Sequence, residues 1–236
     1  MIRLDKLLSN MGKGSRSEIT KIIKSGKVTV NGKVIKDPSY KADEINDIVC
    51  MNGEEVTFKK HFYIMLNKPS GYVTATEDNF NKTVLDLIDD PLINKKVAPA
   101  GRLDIDTEGF VFLTSDGDLN HFITGPKSHV RKRYLIHSKE YISDEDIKKL
   151  EDGVTLDDGY VTKKAKVIRE SDKVYYMDLY EGKFHQVKRM LKAVGNEVIY
   201  LKRIIIGNLA LDETLALGDY RELNEYETEL LKGKEE

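Results

Sequence analysis

The stretch Ala100-Gly101-Arg102-Leu103-Asp104-Ile105-Asp106-Thr107-Glu108-Gly109, followed by Phe110-Val111-Phe112-Leu113, decides how this chain is read. A glycine opens it, a basic residue and carboxylates fill the middle, and a second glycine hands the chain to an apolar run with the look of a buried strand. Taken alone, it favours ordinary turn chemistry, in which Asp bonds its own backbone and Gly takes positive φ. It is also a loop able to hold an aspartate still, and the rest of the chain shifts the balance that way.

Working outward, Ser115-Asp116-Gly117-Asp118 is a turn that can cap a helix through Leu119-Asn120-His121-Phe122-Ile123. Residues 127–133 gather four cations, Lys127, Arg131, Lys132 and Arg133, ahead of the strand-like Tyr134-Leu135-Ile136. Such a run is either a solvated face or a holder for a phosphate backbone whose base stacks on the aromatic. A capped surface helix over 143–150, a lysine-rich strand ending near Ile168 and a strand over 174–180 follow. The turn Glu181-Gly182-Lys183 then leads into a helix, His185-Gln186-Val187-Lys188-Arg189-Met190-Leu191, in which Val187 and Leu191 share a face that need not bury His185, Lys188 or Arg189. Gly195 stops that helix, a strand covers 198–206, and residues 217–223 lead to a last acidic helix from Asn224, with a disordered tail expected from Gly233 to Glu236. Upstream of the loop, a strand over 62–66 ends in the turn Asn67-Lys68-Pro69-Ser70-Gly71, residues 83–88 form a short helix, and Pro91 and Pro99 bracket an irregular approach.

The N-terminal part has a different character. Residues 1–36 carry nine Lys/Arg against two Asp/Glu, while the whole chain of 236 residues has a net charge of only −2. A basic module on an otherwise acidic chain is the footprint of a polyanion partner, nucleic acid first, although a merely solvated lysine-rich helix pair is the simpler alternative. Leu4, Leu7 and Leu8 share one helical face, and Ile19, Ile22 and Ile23 share another. Ser15-Arg16-Ser17-Glu18 has capping-box spacing, and Asn31-Gly32 between Val28-Thr29-Val30 and Lys33-Val34-Ile35 is a hairpin signal. Alternation over 48–58 reads as one strand closing the module, and Lys59-Lys60-His61 as a seam between domains.

Composition excludes other classes. With 40% apolar and 33% charged residues, the chain is a globular rather than a disordered one. No run spans a bilayer and no signal-peptide core opens the chain, so a cytoplasmic protein without membrane attachment is expected. Cys50 is the single cysteine, which leaves no internal disulfide and no zinc spacing, and the five histidines lack the pattern of a helical metal site, so no metal is expected. There is no P-loop, dinucleotide turn or nucleophile elbow. The chemistry left is what a positioned carboxylate does near a cation: nucleophilic attack or proton abstraction at a sugar.

Two resemblances sharpen this. Arg3-Leu4-Asp5-Lys6-Leu7-Leu8, Gly14-Ser15-Arg16-Ser17, Gly26-Lys27-Val28-Thr29-Val30-Asn31-Gly32 and Lys36-Asp37-Pro38 resemble an S4 domain, a small RNA-binding module. That resemblance implies binding to structured RNA, with Arg3, Lys6, Arg16 and Lys21 as phosphate contacts. Leu66-Asn67-Lys68-Pro69-Ser70-Gly71, residues 101–109, Lys132-Arg133-Tyr134 and residues 181–191 resemble the RsuA-type pseudouridine synthases, so that together the two resemblances cover nearly the whole chain. Phe110, Phe112 and Ser115 depart from the family's usual aliphatics and asparagine, which touches packing rather than chemistry.

The resemblance implies an α+β architecture: an S4 domain over 1–60 and a catalytic domain with a mixed, mainly antiparallel sheet over 61–232. It implies that Asp104 is the catalytic aspartate, which attacks the uridine or abstracts a ribose proton so that uracil detaches and re-bonds through C5. Tyr134 would pack on the uracil and assist the later proton removal. Lys188 would pair with the aspartate, with Arg189 the alternative one residue on. Arg102, His185, Lys132, Arg133 and Arg189 are the expected substrate contacts, Arg102 either holding the flipped nucleotide or forming a structural Arg–Asp pair. No cofactor is implied, and the chain is expected to be monomeric. The expected partner is ribosomal RNA, of the 16S branch from the Thr74-Ala75-Thr76-Glu77-Asp78 segment and the Arg3-Leu4-Asp5-Lys6 start, with 23S RNA as the rival. Two rivals of other classes are a non-catalytic RNA-binding assembly factor and a small-molecule glycosidase, which would usually want two carboxylates flanking the bond.

Overall fold

Gly109 is where two strands of the main sheet come too close for any side chain. In the computed structural model, which describes residues 1–125 and 127–233, a Cβ at Gly109 would lie 2.2 Å from the carbonyl oxygen of Arg203, and the residue has φ +99°. The chain divides into two compact units, Met1–His61 and Phe62–Glu236.

In the first unit, β1 (Ile2–Arg3) runs into α1 (Leu4–Asn10), and α2 (Arg16–Lys24) follows, capped as the Ser15/Glu18 spacing predicts. Ser15 N–H donates to Glu18 at 2.8 Å, which satisfies one amide that a helix start otherwise leaves orphaned. Strands β2 (Val28–Val30) and β3 (Lys33–Val34) form the hairpin across Asn31-Gly32, and β4 (Lys41–Ala42) pairs with β1. The closing segment is not one strand. Asn52-Gly53 is a second positive-φ turn, so residues 48–58 hold two short strands, β5 (Val49–Met51) and β6 (Glu54–Glu55), paired with each other. Leu4, Leu7, Leu8, Ile19, Ile23, Val28 and Val30 make the core.

The second unit is built on a nine-stranded sheet. It contains β7 (Tyr63–Lys68), β8 (Ala98–Pro99), β9 (Glu108–Thr114), β10 (Lys132–Ser138), β11 (Lys166–Ser171), β12 (Val174–Leu179), β13 (Val198–Ile206), β14 (Leu209–Ala210) and β15 (Tyr220–Glu222). The order is β11-β12-β10-β13-β9-β7-β15, with β14 on β13 and β8 on β9. Only the β13/β9 pairing is parallel, so the sheet is mixed and mainly antiparallel and the architecture α+β. Phe110, Val111, Phe112 and Leu113 are all fully buried, because β9 is covered on both sides. Phe110 and Phe112 pack with Met65, Leu119 and Ile123 on one face, and Val111 and Leu113 with Ile64, Leu66 and Leu103 on the other.

The helices are α3 (Pro91–Asn94), α4 (Gly117–Thr124), α5 (Asp144–Asp152), α6 (Gln186–Ala193) and α7 (Glu225–Leu231). Asp116 caps α4 and Ser143 caps α5, as expected. The approach bracketed by the prolines is more regular than expected, since Asp90 caps a helical turn that starts on Pro91, where a missing N–H costs nothing. The lysine-rich strand begins at Lys166 and runs past Ile168 to Ser171, and residues 220–222 form an edge strand against β7. Of the tail expected to be disordered, Gly233 donates its N–H to Leu230, and residues 234–236 lie outside the described residues. Among the described residues, no helix is long and apolar enough to cross a membrane.

Candidate active site

Asp104 lies in the loop between β8 and β9, and that loop is fixed from beneath by its backbone. The Thr74 hydroxyl accepts from Leu103 N–H at 3.0 Å and donates to Leu103 C=O at 3.0 Å. Gly71 N–H donates to Ile105 C=O at 2.8 Å, and Thr107 N–H closes a turn onto Asp104 C=O at 3.1 Å. The strongest tie is Lys68 at the end of β7, which continues the Ile64, Leu66 face inward and is fully buried. Its ammonium donates to the carbonyls of Thr107 (2.7 Å), Pro69 (3.0 Å) and Ile105 (3.1 Å). Burial pushes that ammonium down to about 8, against the pull of Asp106, Glu108 and Asp104.

Above the loop stands the first part of α6. Its Val187, Met190 and Leu191 are buried against Tyr175, Met177 and Leu201, which turns Lys188 toward the loop. Lys188 Nζ is 3.3 Å from Asp104 Oδ2 and 2.5 Å from Asp106 Oδ1, so one ammonium bridges two carboxylates. Burial raises the Asp106 carboxyl, but the hydrogen bond and charge of Lys188 outweigh it and hold it below its ordinary value. His185, in the left-handed region with φ 48°, places Nε2 3.6 Å from Asp104 Oδ1. Its ring stacks on that of Phe184, with centroids 3.8 Å apart and planes 18° apart. Tyr134 on β10 packs against both the apolar cluster that contains Leu103 and the one that contains Val187, and so lies where the two clusters adjoin.

The structure therefore brings Asp104, Lys188 and His185 together, with Tyr134 packed on the adjoining apolar clusters, and it does not bring all the expected cations. Arg133 alternates to the sheet face opposite Tyr134 and forms a two-pronged pair with Asp178, at 2.6 and 2.7 Å. Lys132 donates to Ile123 C=O at the end of α4, and burial pushes its ammonium down to about 8. Both were expected among the substrate contacts, and both are spent on holding the sheet and α4. Arg189 points away from Asp104 to Asp157 and to Asp158 (2.8 Å), so the register of the helix puts Lys188, not its neighbour, at the aspartate. Arg102 is exposed and forms no ion pair among the described residues, so the structural Arg–Asp alternative does not hold.

Two groups escaped the sequence reading. Lys68 reads in sequence as part of the turn Asn67–Gly71, although its parity with Ile64 and Leu66 signals burial. Asp106 has no assigned role in the sequence reading, whereas it lies closer to Lys188 than Asp104 does, at 2.5 against 3.3 Å. In the first unit, Arg3, Lys6, Arg16 and Lys21 are all exposed. The buried Asp5 carboxylate, held low by its hydrogen bond from Arg3, gathers Arg3 at 2.9 Å and Arg16 at 3.5 Å. No group of three or more His, Cys, Asp or Glu among the described residues is placed to hold a metal ion.

An open cleft of about 560 Å³ lies along α6, lined by Asp157, Asp158, Phe184, His185, Lys188, Arg189 and Lys192. Asp104 does not line this cleft but touches two residues that do, His185 and Lys188; with Asp106 tied to the same ammonium, and Asp157 and Asp158 paired with Arg189, the arrangement suits chemistry by a single anionic group.

The chain is similar to known proteins over both units. Residues 2–57 match the S4 domain and residues 62–193 match the RNA pseudouridylate synthase domain. An uncharacterized RNA pseudouridine synthase of Bacillus subtilis is 49% identical over 98% of both chains. The ribosomal small subunit pseudouridine synthase A of Escherichia coli is 37% identical over 96% of this chain and 98% of its own. A crystal structure of a pseudouridylate synthase superposes with a TM-score of 0.70 at 37% identity, covering 98% of this chain and all of that one.

Proposed function

Because the chain belongs to the RNA pseudouridylate synthase family and carries an S4 domain in front, we propose that it isomerises a specific uridine of small-subunit (16S) ribosomal RNA to pseudouridine. The observation that carries the reading is Asp104, 3.3 Å from Lys188 on a loop tied down by Lys68 and Thr74. The small-subunit assignment is supported by the names of relatives about 40% identical over nearly the whole chain.

Asp104 attacks the uridine or takes a ribose proton, and the N1–C1′ bond breaks. Uracil turns in place, C5 bonds to C1′, the C5 proton leaves and N1 takes one up, so atoms balance with no cofactor consumed. Lys188 supplies the counter-charge as negative charge moves between carboxylate and base. Tyr134 packs on the uracil. The target base must leave its stack before any protein atom reaches C1′, and Arg102, which is exposed, holds the flipped nucleotide's phosphate or fills the vacated space. Arg3, Lys6, Arg16 and Lys21 add salt-dependent phosphate affinity without reading sequence.

The test is a pseudouridine map of 16S and 23S transcripts, and of assembling subunits, after incubation with the wild type or with Asp104→Ala. One new 16S site made by the wild type alone is the expected result. A site in 23S RNA instead moves the enzyme to the other branch, equal modification by both proteins removes Asp104 from its role, and binding without modification of any substrate favours a non-catalytic assembly factor.

A further inference from the structure

Phe184 leaves 73% of its surface exposed at the mouth of the cleft, an unfavourable place for an apolar ring unless something covers it. Flexibility is not what puts it there. The turn before α6 is braced on Glu181, which accepts from the Tyr160 hydroxyl at 2.6 Å, Lys163 N–H at 2.9 Å and the Gln186 amide at 2.8 Å. Gln186 in turn accepts from Lys183 N–H at 2.9 Å, and Arg189 donates to Phe184 C=O at 3.3 Å. The left-handed backbone of His185 persists inside this frame and sets its ring flat on that of Phe184. One face of Phe184 is thus occupied by His185, whose other neighbour is Asp104.

Charge around the ring points to the occupant. Arg189 is neutralised by Asp157 and Asp158, and Lys188 is held between Asp104 and Asp106. Lys192 lines the same cleft, is exposed, and forms no ion pair among the described residues. An open aromatic face beside an unengaged ammonium is the pairing that receives an unstacked base and its phosphate.

We propose that the Phe184–His185 pair is a stacking platform for a single-stranded nucleobase next to the target uridine, with Lys192 on its phosphate, so that the neighbour is splayed out together with the target. The proposal deepens the pseudouridine synthase reading of this site and rests on it for the identity of the strand. It is distinct from that reading in its residues: Phe184 and Lys192 do not touch the reacting atoms.

The chain has no tryptophan, so Phe184→Trp in the full-length protein creates a single fluorescent reporter at the platform. The probes are a single-stranded oligouridylate and an abasic ribose-phosphate oligomer of equal length and charge. Stacking predicts that the oligouridylate quenches the emission and that the abasic oligomer does not. Equal quenching by both would mean electrostatic approach only, and no quenching by either would mean that the ring meets no base; each result overturns the proposal. In steady-state turnover on the RNA transcript, Phe184→Ala is expected to raise KM about 5- to 150-fold with kcat nearly kept, the cost of one lost stacked base, and Phe184→Tyr to recover most of it. An unchanged KM in Phe184→Ala also overturns it. If the wild type forms no pseudouridine in any transcript, the function assignment fails while the fluorescence arm still decides whether a base stacks here.

Discussion

Replacing Lys68 by methionine tests whether the aspartate is held by buried charge rather than by loop packing. The substitution keeps the volume and removes three donated hydrogen bonds, to Thr107 (2.7 Å), Pro69 (3.0 Å) and Ile105 (3.1 Å). Hydrogen bonds from a charged donor are worth roughly 1.5–3 kcal/mol each, so roughly 6 kcal/mol of attraction is lost. Part of it is offset, because burial already pushes the ammonium to about 8 from 10.5, and at ~1.4 kcal/mol per unit that cost of about 3 kcal/mol disappears with the charge. Ile105 also keeps the Gly71 N–H at 2.8 Å. The net expectation is a loss of about 3 kcal/mol, read from urea unfolding at pH 7. The loop that carries Asp104 loses its underside, and a displacement of ~1 Å at a reacting group costs about 100-fold in kcat. Folding within about 0.5 kcal/mol of wild type together with an intact kcat would refute the reasoning, since neither number survives if Lys68 carries the loop.

The same lysine predicts a pH dependence. Its folded value lies below its unfolded one, so between pH 8 and 10.5 the unfolded chain binds the extra proton and the unfolding free energy rises with pH; wild type should gain up to about 3 kcal/mol on Lys68→Met across that window in parallel urea titrations. Gly109→Ala forces a Cβ to 2.2 Å from the Arg203 carbonyl and should lower stability by about 3 kcal/mol or more in a thermal melt, whereas Gly101→Ala, whose nearest neighbour is Thr124 Cγ2 at 3.6 Å, should cost only about 1–2 kcal/mol of backbone strain. Arg133→Met leaves Asp178, 2% exposed, with only Arg131 at 3.9 Å among the cations of the described residues, and should cost about 3–5 kcal/mol in chemical unfolding while the surviving folded protein keeps its KM for RNA; a raised KM would return Arg133 to the substrate contacts.

Local chemistry was legible wherever a signal and its partner lie within a few residues. The Ser15/Glu18 cap, the Asn31-Gly32 hairpin and the Asp116 cap are each closed by atoms two or three positions apart. Asn52-Gly53 carries the same turn signal as Asn31-Gly32 and was hidden by the apolar alternation on either side of it. The meeting of Asp104 with Lys188 joins residues 84 positions apart, and no periodicity or composition reports such a contact; only the motif resemblance pointed to it. Lys132 and Arg133 show the opposite failure. Beside Tyr134 in sequence, they look like one basic and aromatic cluster, but a strand sends Arg133 to the face opposite Tyr134, where the buried Asp178 on β12 claims it, and Lys132, although of the same parity as Tyr134, is drawn to the Ile123 carbonyl at the end of α4.

The site holds two lysines with different tasks, and the difference follows from what each one touches. Lys68 meets only carbonyl oxygens, so its charge is spent on geometry and cannot respond to a reacting group. Lys188 meets only carboxylates, and it is shared between Asp104 and Asp106. In the proposed reaction, when Asp104 gives up its charge to a bond, Lys188 still has Asp106 at 2.5 Å and is not left as an isolated cation beside the base. Asp106 thereby lets the cation stay in place through a step in which its other partner is neutralised, at no cost in moving the helix that carries it. On the proposed reading a single carboxylate suffices for the chemistry because the backbone beneath it is tied by Lys68 and Thr74 and its counter-ion above it keeps a second carboxylate. The RNA must supply the motion instead, by bringing an unstacked uridine to a fixed atom.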